Sequence, residues 1–124
     1  MTGIIVFAHG STIESANDAV HAVTSQLAHR TGCRVETAFL DCAPPTMADA
    51  VARLAGDGVR RVVVLPYFLT LGVHLQRDLP AIVDRLRPIY KGMEFTVSEP
   101  LDGHPALLDV LIDRYNGIVG GQAF

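Results

Sequence analysis

Two histidines stand where this chain has the means to do chemistry. His9 ends an apolar run, Ile4-Ile5-Val6-Phe7-Ala8, and opens the segment His9-Gly10-Ser11-Thr12. His74 comes after a second apolar run, Val62-Val63-Val64-Leu65, and after Pro66-Tyr67-Phe68-Leu69-Thr70-Leu71-Gly72-Val73. A neutral imidazole is a good ligand for iron, cobalt, nickel and zinc, and near neutral pH it also accepts a proton. Two imidazoles alone make an incomplete cage, because a structural zinc site takes four ligands. Such a pair suits a metal ion in transit. The competing explanation is that each histidine is an ordinary hydrogen-bonded structural residue.

The elements around them decide whether the two can meet. Gly3 to Ala8 reads as a buried strand. Residues 14–30 place Ala16, Val20, Val23 and Leu27 at helical spacing, and Thr31-Gly32 ends that helix. Arg34 to Leu40 is a second strand, followed by the loop Asp41-Cys42-Ala43-Pro44-Pro45. Thr46 is a good N-cap for a helix to about Leu54, closed by Gly56 and Gly58. Val62 to Leu65 is the central strand, ended by Pro66. The stretch from Tyr67 reads as a loop, with Asp78 and Pro80 marking a helix start and Pro88 its end. Glu94 to Ser98 is a fourth strand, Asp102 the expected cap of a last helix over about Pro105 to Tyr115, and NGIVGGQAF a loose glycine-rich tail.

Continuous apolar strands alternating with helices imply an α/β fold, a mainly parallel four-stranded sheet with helices on both faces. Strand order 2-1-3-4 is the natural winding. In such a sheet ligands bind beyond the carboxyl ends of the strands, where the order reverses, here between strands 1 and 3. His9 and His74 follow those two strands. Gly10 and Gly72 would let a flat ligand approach the backbone. Tyr67, Phe68, Leu69, Leu71 and Val73 would line a wide, partly apolar mouth. Ser11 and Thr12 either take an anion or cap the first helix. His21 and His29 are expected to face solvent; His104 caps or shapes a turn. Arg77, Asp78 and Glu14 are weaker candidates, and a cap is the ordinary role for Asp78.

Composition narrows the class. A chain of 124 residues makes about one domain. Half the residues are apolar, which argues against disorder. Net charge is −3 and Trp is absent, and no basic patch with interleaved aromatics points to nucleic acid. The apolar runs are far short of the ~20 residues a membrane span needs. The N-terminus reads as a strand, without the basic segment and cleavage site of a signal peptide, so a cytoplasmic location is expected. Cys33 and Cys42 fit no CxxC or zinc spacing and read as plain thiols.

A histidine pair able to hold a divalent ion and to accept protons, beside an apolar mouth, fits insertion of a metal into a tetrapyrrole. The ion sheds water there and two pyrrole N–H protons leave. The sequence also resembles a family at this point. GIIVFAHGS with a following AN, then AFLD, DAV, VVVLPYFLTLGVHLQRDLP and PLDGHPAL, look like the short sirohydrochlorin chelatases, the cobalt and iron chelatases of cobalamin and siroheme synthesis, whose archaeal relatives also handle nickel. The AHGS and GVHLQRDLP blocks are the specific parts. The resemblance implies a three-layer chelatase-like domain over residues 1–118, with 119–124 a flexible tail. It implies that His9 and His74 are the metal-binding and catalytic residues and that Gly10, Ser11, Phe68, Gly72 and Val73 contact substrate. No permanently bound cofactor is implied; Co²⁺ or Fe²⁺, with Ni²⁺ a further candidate, is substrate. Longer family members carry two lobes in one chain, so a homodimer is implied. The sequence departs from the family pattern at Thr12, where a basic residue is common, at Asp41, where Glu is common, and at LTLG before the second histidine. Three rivals stand beside this reading. One is a non-catalytic metal or tetrapyrrole carrier, and another a structural domain. The third is a histidine phosphatase, which wants an arginine before the His-Gly pair, where this chain has Ala8.

Overall fold

The computed structural model of the chain describes residues 1–121. Four strands, β1 (Thr2–Ala8), β2 (Arg34–Phe39), β3 (Arg61–Pro66) and β4 (Glu94–Val97), alternate with helices α1 (Glu14–Thr31), α2 (Met47–Gly56), α3 (Val73–Leu86) and α4 (Pro105–Gly121). The sheet has order β2-β1-β3-β4 and every pairing is parallel. The α/β architecture and winding expected from the sequence are therefore present. β1 and β3 are neighbours, paired from Thr2 with Arg61 to Phe7 with Pro66.

Right-handed crossovers fix which face each helix covers. The turn from β1 back to β2 puts α1 on one face; the two crossovers that advance to β3 and β4 put α2 and α3 on the other. That second face holds the main core. Ile5, Phe7, Val62, Val64 and Phe95 from alternate strand positions meet Val51 and Leu54 of α2 and Leu79, Val83 and Leu86 of α3. The α1 face is thinner: its buried apolar cluster is Ile4, Val6 and Val35, backed by Val20, Leu27 and Leu65.

Three elements differ from the sequence expectations. α3 begins at Val73, not at Asp78, and Pro80 lies inside it. The apolar positions Leu75, Leu79, Val83 and Leu86 run at helical spacing through the proline, and Leu79 and Val83 are buried. That burial offsets the amide donor that Pro80 lacks. α1 is rolled by about one residue from the expected stripe. Its one buried residue is Thr24, whose hydroxyl bonds Thr37 at 2.8 Å and donates to the Val20 carbonyl. His21 consequently faces β2, with Nδ1 3.0 Å from the Thr37 hydroxyl and its ring edge-on to Phe39. Both His21 and His29 are exposed, as expected, and His21 adds this bond to the sheet. Finally α4 continues through Gly117 and Gly120 to Gly121, so much of the segment read as a loose tail is helical; residues 122–124 lie outside the described residues. A glycine costs a helix only about 1 kcal/mol, and Ile118 and Val119 extend the apolar stripe across it.

Candidate functional site

β1 delivers His9 to the rim one residue past its last strand position. The pairing continues beyond the strand: the Leu40 amide donates to the Ala8 carbonyl at 2.9 Å and the Asp41 amide to the His9 carbonyl at 3.0 Å. Gly10 then turns away with φ +89, and a Cβ there would collide with the Asp41 carbonyl oxygen. The glycine is thus required by the crossing of two loops of this chain, and the approach it permits is that of the Asp41 backbone. Ser11 locks the far side. Its hydroxyl accepts the Ile13 amide at 2.9 Å, while its own amide and carbonyl pair with the side-chain amide of Asn17 at 3.0 and 2.8 Å. The N-cap position of α1 is Ile13, without a side-chain cap bond, so neither Ser11 nor Thr12 occupies it.

His9 is left exposed. Its Nδ1 lies 3.3 Å from the Gly10 carbonyl, a contact that does not engage Nε2. The ring stands edge-on to Phe68, centroids 6.4 Å apart, and Phe68 packs in turn on the buried Phe7 at 5.9 Å. Phe68 is held from both sides by backbone: the Tyr67 amide donates to Phe7, and the Leu101 amide donates to the Phe68 carbonyl.

His74 is carried by the first turn of α3, not by a loop. Gly72 is the N-cap, and its carbonyl accepts the first helical bond from the Gln76 amide at 3.0 Å. The Gln76 side chain donates back to the Leu71 carbonyl at 2.9 Å, which pins the loop to the helix start. One turn further along, Asp78 falls on the same side of α3 as His74, because residues four apart are neighbours on a helix. It is not a cap.

His9 and His74 line a single cavity of about 310 Å³. Phe68, Gly72 and Val73 line it too, whereas Gly10 and Ser11 sit behind His9 and shape its loop. Leu40, Thr70, Leu75 and Asp78 also line it, and none of these was singled out as lining from the sequence. Asp78 had a usable signal, its four-residue spacing from His74, once the helix start is placed at Val73. Of the expected apolar mouth, Tyr67 and Leu69 are exposed and lie off the cavity lining, and Leu71 is half-buried. Asp41 turns its carboxylate onto its own loop, accepting the Cys42 amide at 2.8 Å. His104 caps α4, its Nδ1 accepting the Ala106 amide at 3.0 Å, in the place expected for Asp102. Arg77 pairs with Asp78 at the exposed surface. Among the described residues, no group of three or more His, Cys, Asp or Glu is arranged to hold a metal ion, and no helix is long and apolar enough to cross a membrane.

The chain is similar to a set of known proteins along nearly its whole length. Over 113 residues it is 34% identical to the chloroplastic sirohydrochlorin ferrochelatase of Arabidopsis thaliana, covering 90% of this chain and 50% of that protein. It is 26% identical to the sirohydrochlorin cobaltochelatase of Methanopyrus kandleri, covering 98% and 100%. The chain thus spans about half of the first relative and all of the second. Among solved structures, a cobalamin (vitamin B12) biosynthesis CbiX protein from Marinobacter aquaeolei superposes with a TM-score of 0.87 at 26% identity, covering 98% of this chain and all of the other. The sirohydrochlorin chelatase SirB of Bacillus subtilis, solved in complex with cobalt, superposes equally well at 19% identity over half its length, a likeness of fold. The CbiX family model matches residues 3–118, a span that holds the β1–β3 switch point and both rim histidines, and the chain belongs to that family.

Proposed function

We propose that the protein is a metal chelatase that inserts a divalent metal, Co²⁺ or Fe²⁺, into sirohydrochlorin or a related tetrapyrrole. The observation that carries this reading is the cavity shared by His9 and His74 at the switch point of a parallel sheet. Relatives named for cobalt and iron insertion align over nine-tenths or more of the chain.

The reaction exchanges protons for metal: one M²⁺ enters, four pyrrole nitrogens bind it, and two N–H protons leave. His9 and His74 hold the incoming ion through neutral imidazole nitrogens, and one or both then accept the departing protons. Two ligands bind weakly enough to release the ion to four macrocycle nitrogens, which a closed four-ligand site would not do. Phe68 and Val73 offer apolar surface to the macrocycle, and Gly72, without a side chain, keeps the approach to His74 open. Gly10 and Ser11 act through the loop that aims His9. The metal is substrate, and no resident cofactor takes part.

A cavity near 310 Å³ lies at the small end of ligand pockets. One lobe therefore leaves much of a macrocycle uncovered, and we assign the enclosing surface to a second copy of the chain. Both cysteines are unpaired thiols, the state a reducing compartment such as the cytoplasm maintains.

The test is to mix the protein with sirohydrochlorin and Co²⁺ or Fe²⁺ and follow the macrocycle absorbance. Metalation faster than the protein-free control is expected. A rate equal to that control removes the enzyme and leaves a carrier. Competition among Fe²⁺, Co²⁺ and Ni²⁺ then identifies the preferred ion, because the intrinsic affinity order alone does not set it.

A further inference from the structure

α4 is rich in apolar residues, yet it leaves nearly all of them in water. Leu108, Leu111, Ile112, Tyr115 and Val119 recur at helical spacing along one side, bordered by Asp109 and Asn116, and Val110 and Ile118 add exposed apolar surface off that stripe. Leu108 is 62% exposed, Leu111 67% and Tyr115 63%. Between residues 105 and 120 only Leu107 is half-buried and none is buried. A contiguous apolar stripe of this size in water marks an interaction surface.

The sheet carries the matching vacancy. α2 and α3 fill one face, but α1 alone serves the other, over β1 and β2. On that face β3 and β4 present Val63, Leu65, Tyr67 and Thr96. Val63 and Leu65 are half-buried, Tyr67 and Thr96 exposed. The missing layer is one helix wide. By winding order the element due there is α4, which follows β4. The chain leaves its own α4 off that face.

We infer that α4 is exchanged: in a pair of chains, the α4 stripe of each lies across the outer face of β3 and β4 of the other. One chain owns one unpartnered helix and one uncovered half-face, so two copies satisfy both reciprocally and the assembly closes as a two-fold dimer. A 17-residue helix is about 25 Å long, enough to run the roughly 20 Å length of β3. The inference rests on the pairing of two copies proposed above and is independent of the chelatase activity.

Two measurements on the full chain test it. Light scattering after size exclusion gives the oligomeric state. Isotope-filtered NOE spectra, on a sample refolded from equal parts labelled and unlabelled chain, report contacts between chains. The expected result is a dimer with NOEs from the methyls of Leu111 and Ile112 of one chain to those of Val63 and Leu65 of the other. A dimer in which those contacts are absent or lie only within one chain overturns the exchange and leaves pairing standing. A monomer overturns both. Leu111→Asp alters an exposed residue and is expected to keep the protomer's circular dichroism. It is expected to raise the dimer dissociation constant about 100-fold or more; an unchanged constant overturns the exchange.

Discussion

Gly10 shows how one residue without a side chain sets the position of its neighbour. Its left-handed backbone and its contact with the Asp41 carbonyl hold His9 at the rim. Gly10→Ala is expected to cost about 2–3 kcal/mol, since the new Cβ meets both a strained φ and a backbone oxygen. Urea unfolding measures the loss, and Co²⁺ affinity should fall with it because the imidazole moves; a fully stable variant would show that the loops tolerate the side chain. The sequence made Gly10 visible but not its reason. A glycine beside a histidine looks the same whether a ligand or another loop presses against it. Ser11 was ambiguous in the same way, because the Asn17 side chain that engages it sits six residues on. The Thr24–Thr37 pair, which the apolar spacing of α1 does not signal, brings the exposed His21 into hydrogen-bond reach of β2.

At the scale of elements, α2 and α3 were legible to different depths. Thr46 with Asp49 forms a full capping box, each side chain accepting the other's backbone amide at 3.1 and 3.0 Å. Those hydrogen bonds, from the Thr46 backbone first, hold the Asp49 carboxyl below its ordinary range, with Arg53 adding to them. A carboxyl depressed in the folded state contributes stability above its unfolded pKa and loses it as pH falls through the lower folded value. The stability advantage of wild type over Asp49→Asn should therefore be complete at neutral pH, begin to shrink near the ordinary carboxylate pKa of about 3.9, and be lost as pH falls through the lower folded value. Chemical denaturation across that range checks it, and a pH-independent difference would contradict it. Thr46→Ala should cost about 1 kcal/mol. The start of α3 is masked in the sequence, because Asp78 and Pro80 form a helix-start signal that tertiary burial of Leu79 and Val83 overrides. Pro80→Ala restores an amide to the helix ladder. It is expected to stabilise by about 2 kcal/mol in urea, the ~3 kcal/mol interior penalty less the lost rigidity of the unfolded chain. A destabilised variant would mean the proline is required where it stands.

For the whole molecule, the winding rule did most of the predictive work. Strand order 2-1-3-4 puts the ends of β1 and β3 side by side, and from that alone His9 and His74 were expected on one rim. The structure gives them one cavity. The path of α4 was hidden, because local periodicity specifies a helix and its apolar side but not which chain covers it. The central claim is that His9 and His74 together grasp the incoming ion. Calorimetric titration of Co²⁺ into wild type and into the His9→Ala/His74→Ala double variant tests it most directly. Saturable binding by wild type that disappears in a folded double variant is the predicted result. The same isotherm from both proteins would contradict it.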